Sequence, residues 1–518
     1  MTAVDYFVRE LQRRGVTSMA TLCGHGLDPL FHAARRAGIR LIDTRNEQTA
    51  GYVAFFQGRL SRKPGVCCVS SGVAHINALT GVGSAWFDST PMLLVSGAGA
   101  HRTAGMGHFQ DFDQTGLART VTKYARVIDC PERTLQILDE ALNMAVAAPP
   151  GPVHLTFPMD IQDAEVDELR LIRTMSPMAA EPPLEDPEPL ARALAASSCP
   201  LLVAGGGVQS AGGGEALVRF AERFSIPTVV PIWDKGSIDH PAETFMGVIG
   251  AATGGPSLLP DADCVIMAGA ICDYRVGFLQ AGAVAANAAV HHRRAGWDRL
   301  SVACDKVGVP PFASWLEAAR GRREAFRAGI RRKGDEQAKA GMHAVHIIDA
   351  LKQVLTGDTV FLIDGGSIGQ WVHQLLCDRY PAHWVTCGRS GVIGWGIAGA
   401  MAARLCFPER PVILLTGDGA FTFNVAEIEC AVRQSLHFVA VIADDQGWGI
   451  TRTGHMEQFG ESIASSLGPI EMDKLAESLG AKGVKVSRPE EIAPAIRSAL
   501  AEPAVTVIQV PIVGGNPA

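Results

Sequence analysis

The sequence predicts an α/β protein built from three doubly wound parallel-sheet domains, and three observations carry that reading. Short apolar runs of strand type alternate with helical patterns along the chain, as parallel sheets covered by helices require. At 518 residues the chain is too long for one ordinary core and suggests about three domains. Two stretches interrupt the rhythm: MSPMAAEPPLEDPEPL near 175–190 is rich in Pro and acid, and IRRKGDEQAKAGM near 330–342 is charged and lacks an apolar face. Both read as linkers. They leave domains at 1–175, 185–330 and 341–518.

The elements follow in order. MTAVDYFVRELQRRG has a helical period with charges throughout and no signal-peptide apolar region. RLIDT (40–44), GVCCVSS (65–71) and PMLLVSG (91–97) read as strands of the first domain, with Cys67 and Cys68 as small buried hydrophobes. PLLVAGG (200–206) and CVIMAGA (264–270) are strands of the second. The glycine run GGGVQSAGGG (205–214) follows the first of these without matching G-x-G-x-x-G, so packing is the favoured reading. In the third domain PVILLT (411–416) and FVAVIA (438–443) read as neighbouring parallel strands. Asn424 with Glu427 three residues on has the form of a helix N-cap between them.

Composition excludes several functions. A formal charge of −7, from 46 basic and 53 acidic residues, provides no basic excess for a nucleic acid. No run approaches the roughly 18 apolar residues of a membrane span. Twelve cysteines without a C-x-x-C pair suit the reducing cytoplasm.

The stretch 417-GDGAFTFNVAEIECAVRQSLHFVAVIADDQGWGI-450 concentrates the chemistry. Asp418 and the pair Asp444/Asp445 fall at the carboxyl ends of two parallel strands, the edge where open α/β sheets bind ligands. Glycines beside Asp418 admit a close ligand, and carboxylates from separate loops suit a Mg²⁺ ion that also holds phosphate oxygens. By composition alone, a plain turn and a solvated acidic loop fit equally well.

GDG, 24 residues, a polar pair and GWG together resemble the cofactor motif of the thiamine diphosphate enzymes, in which the pair is usually Asn–Asn. The segment 43–97, FQDFDQ (109–114) with Thr122 and Lys123, and GVIGWGIAGAMAARL (391–405) resemble the acetolactate synthase, pyruvate oxidase and benzaldehyde lyase group. The resemblance implies an N-terminal pyrimidine-binding domain, a central domain and a C-terminal diphosphate-binding domain. It also implies thiamine diphosphate and Mg²⁺ at the interface of a homodimer or homotetramer. Glu47 matches the glutamate that bonds the pyrimidine ring nitrogen, although an acid in a first helical turn is also stabilised by the helix dipole. Asp418, Asp445 and the carbonyl of Gly447 match the metal ligands. Gly366, Ser367, Gly391, Gly417, Gly419, Ala420, Trp448 and Gly449 fall on cofactor-binding positions, with Asn77 near the pyrimidine. Ile393 matches the apolar residue that props the cofactor in its bent shape. Gln110, His25 and His75 are catalytic candidates near the substrate; His25 and His75 depart from the family's pattern, as does the Asp pair. GAICDYRVGF (269–278) loosely resembles a flavin contact, but 287–304 lacks the acidic strand end, so FAD is not expected.

These readings imply a carbon–carbon lyase or carboligase acting on a 2-oxo acid, hydroxyketone or aldehyde, with neither nucleic acid nor membrane as partner. The alternatives are an acetolactate synthase-like acyl transferase, a cyclic-diketone hydrolase, and an inert binding protein of the same fold. The pocket would be shaped by 101–108 and 452–470, both read as flexible, glycine-rich loops.

Overall fold

The structure is a computed structural model that describes residues 1–173, 185–234, 236–238, 240–249, 258–269, 288–293, 295–376 and 383–517. The flavin-like segment lies outside these residues beyond Gly269, and so does most of the first linker.

Most of the apolar runs become strands buried on both faces, such as Gly65–Val69, Pro200–Ala204 and Val439–Asp444, whereas Arg40–Asp43 at a sheet edge is partly exposed. Strands β1 (Ser18–Leu22), β2 (Arg40–Asp43), β3 (Gly65–Val69), β4 (Met92–Ala98), β5 (Tyr124–Val127) and β6 (Pro152–Pro158) form a sheet in the order β2-β1-β3-β4-β6-β5. Strands β7 (Pro200–Ala204), β8 (Thr228–Pro231), β9 (Phe245–Ile249), β10 (Cys264–Ala268) and β11 (Ala289–Arg293) form a second, ordered β11-β10-β7-β8-β9. The third contains β12 (Val360–Asp364), β13 (His383–Val385), β14 (Val412–Gly417), β15 (Val439–Asp444), β16 (Lys482–Lys485) and β17 (Thr506–Pro511), ordered β13-β12-β14-β15-β17-β16. Every pairing within these sheets is parallel. Renumbered from its own first strand, the third sheet repeats the order of the first. In both, the winding direction reverses between the first and third strands, which opens a crevice at their carboxyl ends.

The chain divides into two compact units. One comprises residues 1–181 with 397–408 and 426–436; the other comprises 182–396, 409–425 and 437–518. In the second unit one apolar core runs from Leu201 and Ile266 of the middle sheet to Ile413 and Val441 of the third.

In the first unit a close helix crossing sets the geometry of the sheet edge. Helix Glu47–Ser61 follows β2 and helix Val73–Phe87 follows β3. A Cβ on Gly81 would stand 2.3 Å from the carbonyl carbon of Gly51, so the two backbones nearly touch. Residues four earlier share those helix faces, and they are Glu47 and Asn77. Lys123 packs its ammonium 2.7, 2.5 and 2.6 Å from the carbonyls of Met144, Ala147 and Pro149, closing the end of helix Thr134–Val146. Helix Glu427–Arg433 belongs to the same unit: both carboxylate oxygens of Glu427 accept the Arg45 N–H at 3.0 and 3.1 Å, and Arg433 donates to Asp43 at 2.9 Å.

Three local expectations are corrected. Asn424 caps no helix start, because the chain leaves β14 directly into helix Asp418–Phe423; Asn424 ends that helix and donates to the Gly394 carbonyl at 2.9 Å. Residues 330–337 finish the helix Ala313–Gln337. Its charged face is solvated, with Arg331 paired to Asp335 and Asp349 at 2.7 and 2.6 Å, while Ile330 and Gly334 are buried. Residues 449–459 are likewise a helix rather than a flexible loop.

Gly81→Ala should destabilise the protein by about 1–3 kcal/mol by overpacking the crossing. A lower urea midpoint at unchanged m-value is the measurement.

Candidate active site

The candidate residues form two constellations, one in each unit. In the second unit, β14 and β15 are neighbours in register Gly417↔Ala443, so Asp418 and Asp445 leave adjacent strand ends. Asp418 is 2% exposed; its Oδ2 accepts the Gly447 N–H at 3.0 Å, and its Oδ1 is buried without a donor. Burial first, then the nearby charges of Asp445 and Asp444, push its pKa up to about 7. Asp445 is also shifted upward by burial, against the opposing pull of Arg452, which donates to Asp445 Oδ2 at 2.8 Å. Asp444 turns away into the core, where Gln509 Nε2 donates to its Oδ2 at 2.6 Å.

Around these acids lies a cavity of about 360 Å³. Helices Gly366–Leu375, Asp418–Phe423 and Gly449–Phe459 all begin at its wall, and their glycines keep it open. A Cβ on Gly366 would meet Ile450 at 2.7 Å, one on Gly419 would meet Trp448 at 2.7 Å, and one on Gly449 would meet Asp445 Oδ2 at 2.8 Å. Free N–H groups at helix starts attract anions such as phosphate. Ser367 Oγ, 2.7 Å from Asn516 Oδ1, Gly417, Ala420 and Gly391 also line the wall. Ile393 faces the same space and is 38% exposed, so it is not a core side chain. Asp364, fully buried and bonded by the N–H groups of Gly394 and Gly396 at 3.3 and 2.6 Å, is pushed up to about 7 by burial.

An orphaned carboxylate oxygen facing a second carboxylate fits a hard divalent cation. No group of three or more His, Cys, Asp or Glu suited to a metal occurs among the described residues. Such a cation would complete its shell with the Gly447 carbonyl, water and phosphate oxygens, as Mg²⁺ commonly does.

In the first unit, Asn77 Nδ2 donates to Glu47 Oε2 at 3.0 Å. Glu47 opens helix Glu47–Ser61, whose cap is Asn46 accepting the Gln48 N–H at 2.8 Å, so its side chain stands at the positive end of the helix dipole. The loops after β1 and β4 bring His25 and Gln110 to the turn that follows β3, where they bond Ser70 and Ser71. His25 is exposed, its carbonyl accepting from Ser70 at 2.9 Å and its ring edge-on to Phe109 at 5.8 Å. Gln110, at φ 58°, accepts the Ser71 hydroxyl at 2.7 Å and lies over Gly72, where a Cβ would meet its side chain at 3.2 Å.

His75 does not join them. It is fully buried, with Nδ1 2.8 Å from Ser96 Oγ and its ring 4.7 Å from that of His154. One position before Ile76 and two before Asn77, it points to the opposite, inward side of the helix. Sequence reasoning also missed Arg452, Gln509 and Asp364. A basic residue in the first turn of a helix just after an acidic pair was the available signal for Arg452.

Three domains of one family match the chain in order: the thiamine pyrophosphate enzyme N-terminal TPP binding domain over residues 1–117, its central domain over 188–293 and its C-terminal TPP binding domain over 364–510. The chain belongs to the thiamine pyrophosphate, or thiamine diphosphate, enzymes. Within that family it is similar to a "Probable acetolactate synthase" of Mycobacterium bovis, 28% identical over 98% of this chain and 95% of the relative. It is also similar to the "Acetolactate synthase large subunit" of Lactococcus lactis (28%, covering 94% and 88%) and to "2-hydroxyacyl-CoA lyase 2" of Bos taurus (26%, covering 93% and 84%).

Burial lowers the His75 pKa from 6.5 to about 4. The unfolded chain therefore takes up this proton first as pH falls, and stability is lost between about pH 6.5 and 4. His75→Gln should reduce the loss of unfolding free energy between pH 7 and 5 by roughly 2 kcal/mol, read from urea titrations at both values.

Proposed function

We propose that the protein binds thiamine diphosphate through Mg²⁺ and cleaves or forms a carbon–carbon bond next to a carbonyl, as 2-oxo acid decarboxylases, acyloin lyases and carboligases do. The observation that supports this most directly is the buried, donorless Oδ1 of Asp418 beside Asp445 in a glycine-lined cavity. When bound, thiamine diphosphate supplies a thiazolium carbon that adds to a carbonyl and holds the electron pair released by the adjacent bond.

The chain's own residues bind, orient and move protons. Asp418, Asp445 and the Gly447 carbonyl would hold the cation, and the N–H groups of the three helix starts would receive the diphosphate. Ile393, which lines the same cavity, would pack against the cofactor. Glu47, oriented by Asn77, would hydrogen-bond the pyrimidine ring nitrogen and so favour the imino form of the opposite amino group, whose nitrogen is then the base. His25 and Gln110 serve the substrate oxygen. His75, neutral and without an exposed atom, has no part in the chemistry.

Val73 and Ile76, 67% and 44% exposed beside Asn77, favour a second copy of the chain against this face and hence a homodimer or homotetramer. Strand β11 ends in the buried Arg293 instead of an acid, which favours a central domain without flavin and a lyase or carboligase over acetolactate formation. No helix of the described residues is long and apolar enough to cross a membrane, and the described cysteines are all free, which suits the cytoplasm.

A panel of 2-oxo acids and acyloins, assayed with thiamine diphosphate, Mg²⁺ and optional FAD, tests the reading. Turnover should require the first two and be indifferent to the third. Exchange of the thiazolium proton for deuterium should accelerate on the protein, and Glu47→Gln should slow it by about 10²–10⁴-fold. Exchange no faster than in free cofactor would refute the proposal.

A further inference from the structure

Arg452 occupies a position that helix electrostatics disfavour. It is the fourth residue of helix Gly449–Phe459, and a cation there lies against the positive end of the dipole. Two features of its surroundings account for it. The guanidinium grips Asp445 at both ends: Nη2 donates to the carboxylate Oδ2 at 2.8 Å, and Nη1 donates to the Asp445 carbonyl at 3.0 Å and the Gln446 carbonyl at 3.4 Å. The chain also leaves a slot for it. A Cβ on Gly447 would lie 2.5 Å from Nη1, and one on Gly514 would lie 2.6 Å from Nη2.

Charge explains the need for such a clamp. Asp418, Asp444 and Asp445 bring three formal negative charges to one buried strand edge, which must then accept a diphosphate. Gln509 stabilises Asp444 by a hydrogen bond but adds no charge. Among these contacts Arg452 alone carries a compensating cation, and its fork engages one oxygen of Asp445 while leaving the other for a second partner.

We propose that Arg452 is a positioning residue matched to Asp445. It holds that carboxylate in place and offsets its charge, so that Asp418 and Asp445 share one divalent cation while a diphosphate binds beside it. This rests on the thiamine diphosphate reading above. Arg452 touches neither substrate nor cofactor in this role; it acts through Asp445. If so, the arginine is needed only while residue 445 is an acid.

The test is binding, measured without turnover. Isothermal titration of thiamine diphosphate in the presence of Mg²⁺ is compared for the wild type, Arg452→Met, Asp445→Asn and the double variant. Loss of an outer partner of a metal ligand typically costs about 10–100-fold in affinity, and Arg452→Met should weaken binding by that much. The same change made in the Asp445→Asn background should cost less than about threefold, because an amide has no charge to offset. Arg452→Gln, which retains hydrogen bonding without the charge, should behave like Arg452→Met and serves if the methionine variant does not fold. Equal losses in both backgrounds, or unchanged binding in the single variants, would overturn the pairing while leaving the cofactor reading intact. A folded wild-type protein that binds no thiamine diphosphate with Mg²⁺ would overturn both.

Discussion

Every strand within a sheet of this protein runs the same way, and that constraint arranges the rest. Parallel pairing puts all the carboxyl ends on one edge and leaves the connections to return as helices, whose own starts lie along the same edge. Where the winding reverses, two of those loops part instead of crossing the same neighbour. Asp364 and Asp418 leave β12 and β14 on either side of one such reversal. His25 and Ser70 follow β1 and β3 at the other. Polar groups from distant parts of the sequence therefore meet without any one loop having to be long.

Such an edge is costly to charge, and the structure offsets that cost in separate ways. Asp364 is buried against backbone N–H groups, Asp444 is bonded by Gln509, and Asp445 is clamped by Arg452. Asp418 and Asp444 each keep one oxygen without any protein donor, and of the two only Asp418 lines the cavity. Unmet hydrogen-bonding capacity at that depth is unfavourable in isolation, so the site is arranged for an occupant instead of for its own stability. Glycines at the helix starts serve the same end by excluding side chains from the space.

Much of this was legible in the sequence. The strands announced themselves because burial on both faces leaves continuous apolar runs, and Asp418, Asp445 and Glu47 stood at motif positions whose spacing survives folding. What escaped depended on contacts between elements. The bond from Asn77 to Glu47 exists because Gly51 and Gly81 let two helices touch, a fact carried by neither glycine's local context. Helix Gly449–Phe459 buries no residue, so it lacks the periodic apolar signal that marks a helix, and Arg452 was hidden in what read as a loop. The helix through 330–337 was obscured in the same way by its solvated face. His75 shows the converse failure: a chemically capable residue type near the right loop, turned inward by its place on the helix.

The first compact unit is not a continuous stretch of chain. Residues 397–408 and 426–436 belong to it, although they flank β14, and Glu427 and Arg433 tie the second of these segments to Arg45 and Asp43. The apolar core of the amino-terminal portion, from Val4 to Ile161, is complete without them, but during synthesis its outer surface is covered only by residues made long after its last strand has emerged. A fragment ending at the linker would keep the whole sheet and lose the Glu427 and Arg433 contacts to Arg45 and Asp43, exposing the surface those segments cover.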